Sequence, residues 1–256
     1  MKAAQHQPLP ALPAVPGGPW GLARATDYCL QMAGKNRENY PVASWLMPKH
    51  LRPHVAAIYA FAHAADAFAD APEFEGRRVQ LLDEWEEALR RCYHGEAEHP
   101  IFVALKATVE TFAIPRTAFF DLLAAYRMDL SVRRYPTFAA LMRYCEKAAH
   151  PVGRIMLGLV GDNEAEHLRA ADDLSTALQL LTLRQQRLTK QWKALMGFEL
   201  ARTRALLMRS QPLINYAPRE LRNELQLIME GGYGSLRALE RSGYNVFSQR
   251  VHMRKL

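Results

Sequence analysis

The chain has 256 residues, 49% of them apolar, with a formal net charge of +7 and a pI near 9.4. It is long enough to bury a sizeable core, ordinary in composition for a globular protein, and lacks the apolar run of roughly eighteen residues that a membrane-spanning helix takes. Cys29, Cys92 and Cys145 are far apart and match no ligand spacing, so neither a disulfide framework nor a zinc site is indicated, which suits a reducing, cytoplasmic setting.

Residues 1–19 are rich in Pro and Gly and lack the apolar core of a signal peptide, so they read as a disordered lead-in. Residues 20–35 read as a helix with Leu22, Ala25, Tyr28, Cys29 and Met32 on one face. Pro41 and Pro48 punctuate the next stretch, and a new helix is expected from about Leu51. It runs to Asp70, with Ile58, Phe61, Ala62, Ala65, Phe68 and Ala69 at helical spacing. Asp66 and Asp70 are four apart and stack on one face. Two stacked carboxylates repel. A divalent metal with oxygen ligands is the simplest cation to sit against them, and a plain solvated surface is the bland alternative.

Residues 74–93 read as an amphipathic outer helix with Val79, Leu82, Trp85, Ala88 and Leu89 inward. Helices are expected over 100–112 and 116–132, the second with Phe119, Leu122, Leu123, Tyr126 and Leu130 on one face. Pro136 sits at a favoured first-turn position for the next helix. The segment HPVGRIMLGLVG (150–161) is apolar, and its glycines allow close approach of a backbone or a ligand. One long helical pattern covers 165–192, another 193–209, and a last helix 218–241 tolerates Gly231, Gly232 and Gly234. No convincing strand pattern and no aligned repeat appears. The expectation is an all-α fold of about ten helices, with residues 20–256 as a single domain.

Several stretches together resemble the squalene/phytoene synthase family, above all its bacterial hydroxysqualene synthase branch on the hopanoid route. They are ENYPVASWLMP (38–48), LRPHVAAIYAFAHAADAFAD (51–70), YRMDLSVRRY (126–135), YCEKAAHPVGRIMLGL (144–159), ALQL (177–180) and the closing GGYGSLRALERSGYNVFSQR. The resemblance implies a helical isoprenoid (terpenoid) synthase fold around a central cavity. It also implies action on C15/C30 prenyl diphosphates, either presqualene diphosphate to hydroxysqualene or head-to-head condensation of farnesyl diphosphate. Two Asp-rich motifs of such proteins hold magnesium ions on the substrate's diphosphate. The first motif, usually DDxxD, is here Asp66-Ala67-Phe68-Ala69-Asp70, which makes Asp66 and Asp70 the implied catalytic and metal-binding residues. His63 stands where an Arg commonly contacts phosphate. Tyr40 and Ser44 match the phosphate end of the substrate site, Tyr144, Val152 and Gly153 match the hydrocarbon tunnel, and Asp129 matches an acidic position. Read without the resemblance, the tunnel residues are ordinary core and the rest common surface or loop types.

The second motif departs from the family pattern. After ALQL the matching positions are Thr182, Gln186 and Lys190, so both expected carboxylates are gone and one has become a cation. A Gln amide oxygen is a weak ligand for magnesium and a Lys cannot coordinate it. Two readings stand. In one, a working synthase has reduced magnesium use and binds diphosphate through Gln186 and Lys190, with Arg184 and Arg187 nearby. In the other, an inactive member of the family keeps the fold, pairs Lys190 with Asp66 or Asp70, and binds an isoprenoid or a partner protein in a scaffold or regulatory role. The implied partners are a prenyl diphosphate or isoprenoid, enzymes of the same pathway, and an anionic membrane touched by the basic tail RVHMRKL (250–256). Charge spread along the chain without a recognition motif argues against nucleic acid.

Overall fold

The computed structural model describes residues 19–35, 47–132, 135–182 and 190–242, with backbone alone for 35, 181–182 and 190–195. Every regular element among them is helical. The chain divides into two compact units, residues 1–136 and 137–256.

The first unit holds α1 (Leu22–Lys35), α2 (Arg52–Asp70), a 3₁₀ turn (Pro72–Phe74), α3 (Arg78–Tyr93), α4 (Pro100–Phe112) and α5 (Arg116–Ser131). Helix α2 is its centre and packs against α1, α3, α4 and α5. Pro53 in the first turn and the absence of interior Gly suit it to a helix, and small Ala residues let its neighbours come close. Eleven of its nineteen residues are buried. Phe61 stacks on Trp85 at 5.9 Å between centroids and meets Phe119 edge-on at 5.3 Å. The Trp85 indole N–H donates to the Phe61 carbonyl at 3.3 Å, so the largest side chain of the core has its one polar atom satisfied. Pro72 follows immediately and α2 stops at Asp70.

On α3, Leu81, Leu82, Trp85, Leu89 and Cys92 are buried, whereas Val79, expected inward, is 60% exposed. At about 100° per residue, Val79 falls off the stripe centred on those five. Helix α4 starts where His99 Nδ1 accepts from the Ile101 N–H at 3.2 Å.

The second unit holds α6 (Phe138–Ala148), α7 (His150–Gly158), α8 (Ala165–Thr182), α9 (Lys190–Ser210), the single turn α10 (Leu213–Tyr216) and α11 (Arg219–Arg241). Helix α6 begins after Pro136, because the Thr137 hydroxyl accepts from the Ala140 N–H at 3.1 Å and sets the boundary. Where one helix was expected over 165–192, α8 ends at Thr182 and α9 begins at Lys190, and the residues between lie outside the described set. The core is built from Leu174, Ala177, Leu200, Leu207, Met229 and Leu236 of α8, α9 and α11. Gly232 lets α11 close on α9, since a Cβ there would meet both Leu207 methyls at 3.3 Å.

Candidate functional site

Asp66 and Asp70 stand on the exposed side of α2, one turn apart, while Ala65, Ala67, Phe68 and Ala69 around them are buried. The pair is therefore an exposed spot on a mostly buried helix. His63 lies three residues before Asp66 on the same side. Its ring is half-buried and stacks on Tyr59 at 5.3 Å with an interplanar angle of 11°. Asp129 is exposed near the end of α5, which packs on α2.

The end of α2 is held from α3. Arg78 Nη2 pairs with Glu75 at 2.9 Å and reaches the Asp70 carbonyl at 3.4 Å, which places a cation at the carbonyl end of the helix. Sequence reasoning missed Arg78, whose only signal was its place one short loop beyond the Asp pair.

In the second unit Tyr144 and Val152 are half-buried on α6 and α7. Gly153 faces α8. A Cβ there would lie 2.6 Å from Ser175 Oγ and 3.1 Å from the Ala171 carbonyl. The close approach that its glycine permits is thus taken by a neighbouring helix. Beside it, Arg154 forks onto Asp172 at 2.9 and 2.7 Å. His150 meets Thr176 Oγ1 at 2.9 Å and lies 3.6 Å from Asp172. Burial lowers the His150 pKa, partly opposed by the Asp172 charge. Asp173 is bound by Arg209 at 2.8 Å. Both carboxylates are thus engaged by arginines. Tyr40, Ser44 and Gln186 lie outside the described residues, and Lys190 is described only as the first residue of α9.

Among the described residues no group of three or more His, Cys, Asp or Glu side chains is arranged to hold a metal. Asp66 and Asp70 supply two hard oxygen donors. That fits a magnesium ion whose remaining positions are filled by phosphate oxygens and water, the usual way magnesium is held in phosphate sites. The cysteines play no part. All three are free and buried, and burial pushes Cys29 and Cys92 up to about 12.

A sequence profile of squalene/phytoene synthase matches residues 33–186 and again 181–256. The chain belongs to the squalene/phytoene synthase family. The two matched segments overlap at residues 181–186. The hydroxysqualene synthase of Zymomonas mobilis is 38% identical over 153 residues, covering 58% of this chain and 50% of that one. The 15-cis-phytoene synthase of Synechocystis is 26% identical over 274 aligned positions, covering 91% of this chain and 81% of that one. The chain spans about half the length of the hydroxysqualene synthases it matches. The crystal structure of squalene synthase HpnC from Alicyclobacillus acidocaldarius superposes with a TM-score of 0.82 at 32% identity, covering 88% of this chain and 96% of that one. The fold is the all-α terpenoid synthase fold.

Proposed function

We propose that this protein is an isoprenoid synthase-type protein acting on C15/C30 prenyl diphosphates of the squalene and hopanoid route, with residues 20–256 as its functional domain. The observation that carries this reading is the exposed Asp66–Asp70 pair on the buried helix α2 of a family member. In this reading the two carboxylates hold one magnesium ion against the substrate's diphosphate. When bound, the ion offsets the charge that develops on the leaving diphosphate. His63, anchored by its stack on Tyr59, is within the same stretch of helix and donates to a phosphate oxygen when protonated. Tyr40 and Ser44, which belong to the same unit, contribute further diphosphate contacts. Asp129 lies in the same unit and is the further substrate-binding residue of this reading, and enzymes of the same route are the expected partners.

A second reading is favoured by a specific observation. The positions aligned with the second motif are Thr182, Gln186 and Lys190, with Gln186 and Lys190 where carboxylates are expected. A protein with one carboxylate pair binds a magnesium–diphosphate but lacks the ligands for a full metal cluster. In this reading the chain binds the isoprenoid without ionising it.

One experiment separates the two. Diphosphate release from farnesyl and presqualene diphosphate is measured with and without magnesium, alongside binding of the same compounds by calorimetry. Magnesium-dependent release abolished by Asp66→Asn and Asp70→Asn supports the synthase. Magnesium-dependent binding without release, lost in the same variants, supports the binding protein. Absence of both removes the diphosphate site altogether.

A further inference from the structure

Helix α9 buries one side, where Met196, Leu200 and Leu207 join the core with α8 and α11. On the other side Phe198, Ala201, Ala205 and Met208 are exposed. At about 100° per residue these four fall within roughly 80° of one another and form a single stripe. Phe198 is 56% and Met208 60% exposed, among the largest exposed apolar side chains described. Single exposed apolar residues need no explanation, but four aligned on one helix face do.

The spacing of the four is the same from either end. Phe198 and Met208 lie five residues either side of position 203, and Ala201 and Ala205 two residues either side. A second copy turned end for end, about a two-fold axis level with that position, sets Phe198 opposite the partner's Met208 and Ala201 opposite the partner's Ala205. The two alanines at the middle are one turn apart and let the backbones come close, while the large side chains at the ends pack beside them. A patch that matches itself under a two-fold rotation is what a symmetric dimer requires.

The arginines that border the stripe are already paired within the chain. Arg202 meets Glu199 at 3.4 Å, Arg204 meets Glu240 at 2.6 Å and Arg209 meets Asp173 at 2.8 Å. The Arg202 guanidinium also lies over the Phe198 ring at 4.4 Å, which holds that end of the stripe in place. Two copies therefore meet without opposing bare like charges, and these pairs leave no surplus charge on the rim to select an oppositely charged partner.

We propose that the outer face of α9 pairs, antiparallel, with the same face of a second copy of this chain. The contact is confined to about three turns of one helix and is smaller than a standard interface, so the dimer is weak and reversible. The inference goes beyond the proposed function and holds whether or not the protein turns over a substrate.

Sedimentation velocity of the full chain is expected to show a dimer that grows with concentration. The double variant Phe198→Ser/Met208→Ser, made at exposed positions, is expected to dimerise at least about tenfold more weakly, while melting in dilute solution within a few degrees of the parent. Cysteine cross-linking reads the register, since Cys29, Cys92 and Cys145 are buried. Ala201→Cys mixed with Ala205→Cys is expected to form the mixed disulfide at least about threefold faster than either variant pairs with itself. Position 201 faces position 205 of the other copy, whereas like positions are offset by about 6 Å along the axis. A chain that is monomeric at every concentration, or a dimer unaffected in the Phe198/Met208 variant, overturns the proposal. So does a mixed disulfide that forms no faster than the others. Flotation on phosphatidylglycerol vesicles that is lost in the Phe198/Met208 variant overturns it too and assigns the face to lipid.

Discussion

Arg78 donates to the main-chain carbonyl of Asp70 at 3.4 Å, so the last residue of α2 is tied to the first residue of α3. The same guanidinium holds Glu75 in the connecting loop at 2.9 Å. A cation at the carbonyl end of a helix is worth about 0.3–1 kcal/mol. Replacing Arg78 by Met keeps the stem and removes both contacts. The expected outcome is a small loss of stability in urea together with a several-fold loss of magnesium-dependent diphosphate binding, measured by calorimetry. A loss of stability without any loss of binding assigns Arg78 to the fold alone.

Gly153→Ala tests the α7–α8 contact. The new Cβ meets Ser175 Oγ at 2.6 Å and the Ala171 carbonyl at 3.1 Å, and backbone yields less readily than a side chain. Overpacking of this kind costs about 1–3 kcal/mol. Ser175→Ala in the same chain removes the hydroxyl but not the carbonyl, so chemical denaturation is expected to show partial recovery. Full recovery places the whole strain on Ser175.

Helix α2 was legible because the break at Pro48 and the apolar periodicity up to Asp70 point to the same boundaries, and its buried Ala and Phe residues follow from that pattern. The Asp pair was legible as a pair, and a solvated surface was one of its two readings. The spacing of Asp66 and Asp70 says that they share a face, and only the packing of α1, α3, α4 and α5 decides which face stays open. Val79 misled because a three-residue step to Leu82 fits a helix equally well on either side of the true stripe. Gly153 was read correctly as a point of close approach, yet a sequence does not say whether the neighbour is a ligand or, as here, α8.

Glu199 carries a stability cost that a substitution removes. Burial raises its pKa and the Arg202 charge lowers it, with burial the stronger. Its Oε2 is buried without a hydrogen-bond partner. The folded state therefore holds the proton more tightly than the unfolded chain, and stability from this group falls as pH rises through the carboxylate range. Glu199→Gln is expected to raise the melting temperature slightly at pH 7 and to leave it unchanged near pH 4, where the parent is protonated too. Calorimetric melting at the two pH values checks it, and a lower melting temperature at pH 7 means that the Arg202 pair outweighs the cost of burial.

His99 gives the opposite slope. Its Nδ1 accepts from the Ile101 N–H at 3.2 Å and its ring sits edge-on to Trp85 at 5.4 Å, an environment that favours the neutral ring. Burial lowers its pKa to about 4 from the ordinary 6.5. The unfolded chain therefore takes up a proton first as pH falls. Stability is flat above about pH 7, declines between there and about pH 4, and the full difference is worth about 3 kcal/mol. His54 and His150, also lowered by burial, act in the same direction. In His99→Asn the Asn side chain can still accept from Ile101, as Asn does at helix starts, but it cannot titrate. The variant is expected to be less stable at pH 7, from lost packing against Trp85. Its decline from pH 7 to pH 4 is expected to be shallower by about one proton in the slope of unfolding free energy against pH. An unchanged slope means that His99 is not the group responsible and transfers the effect to His54 and His150.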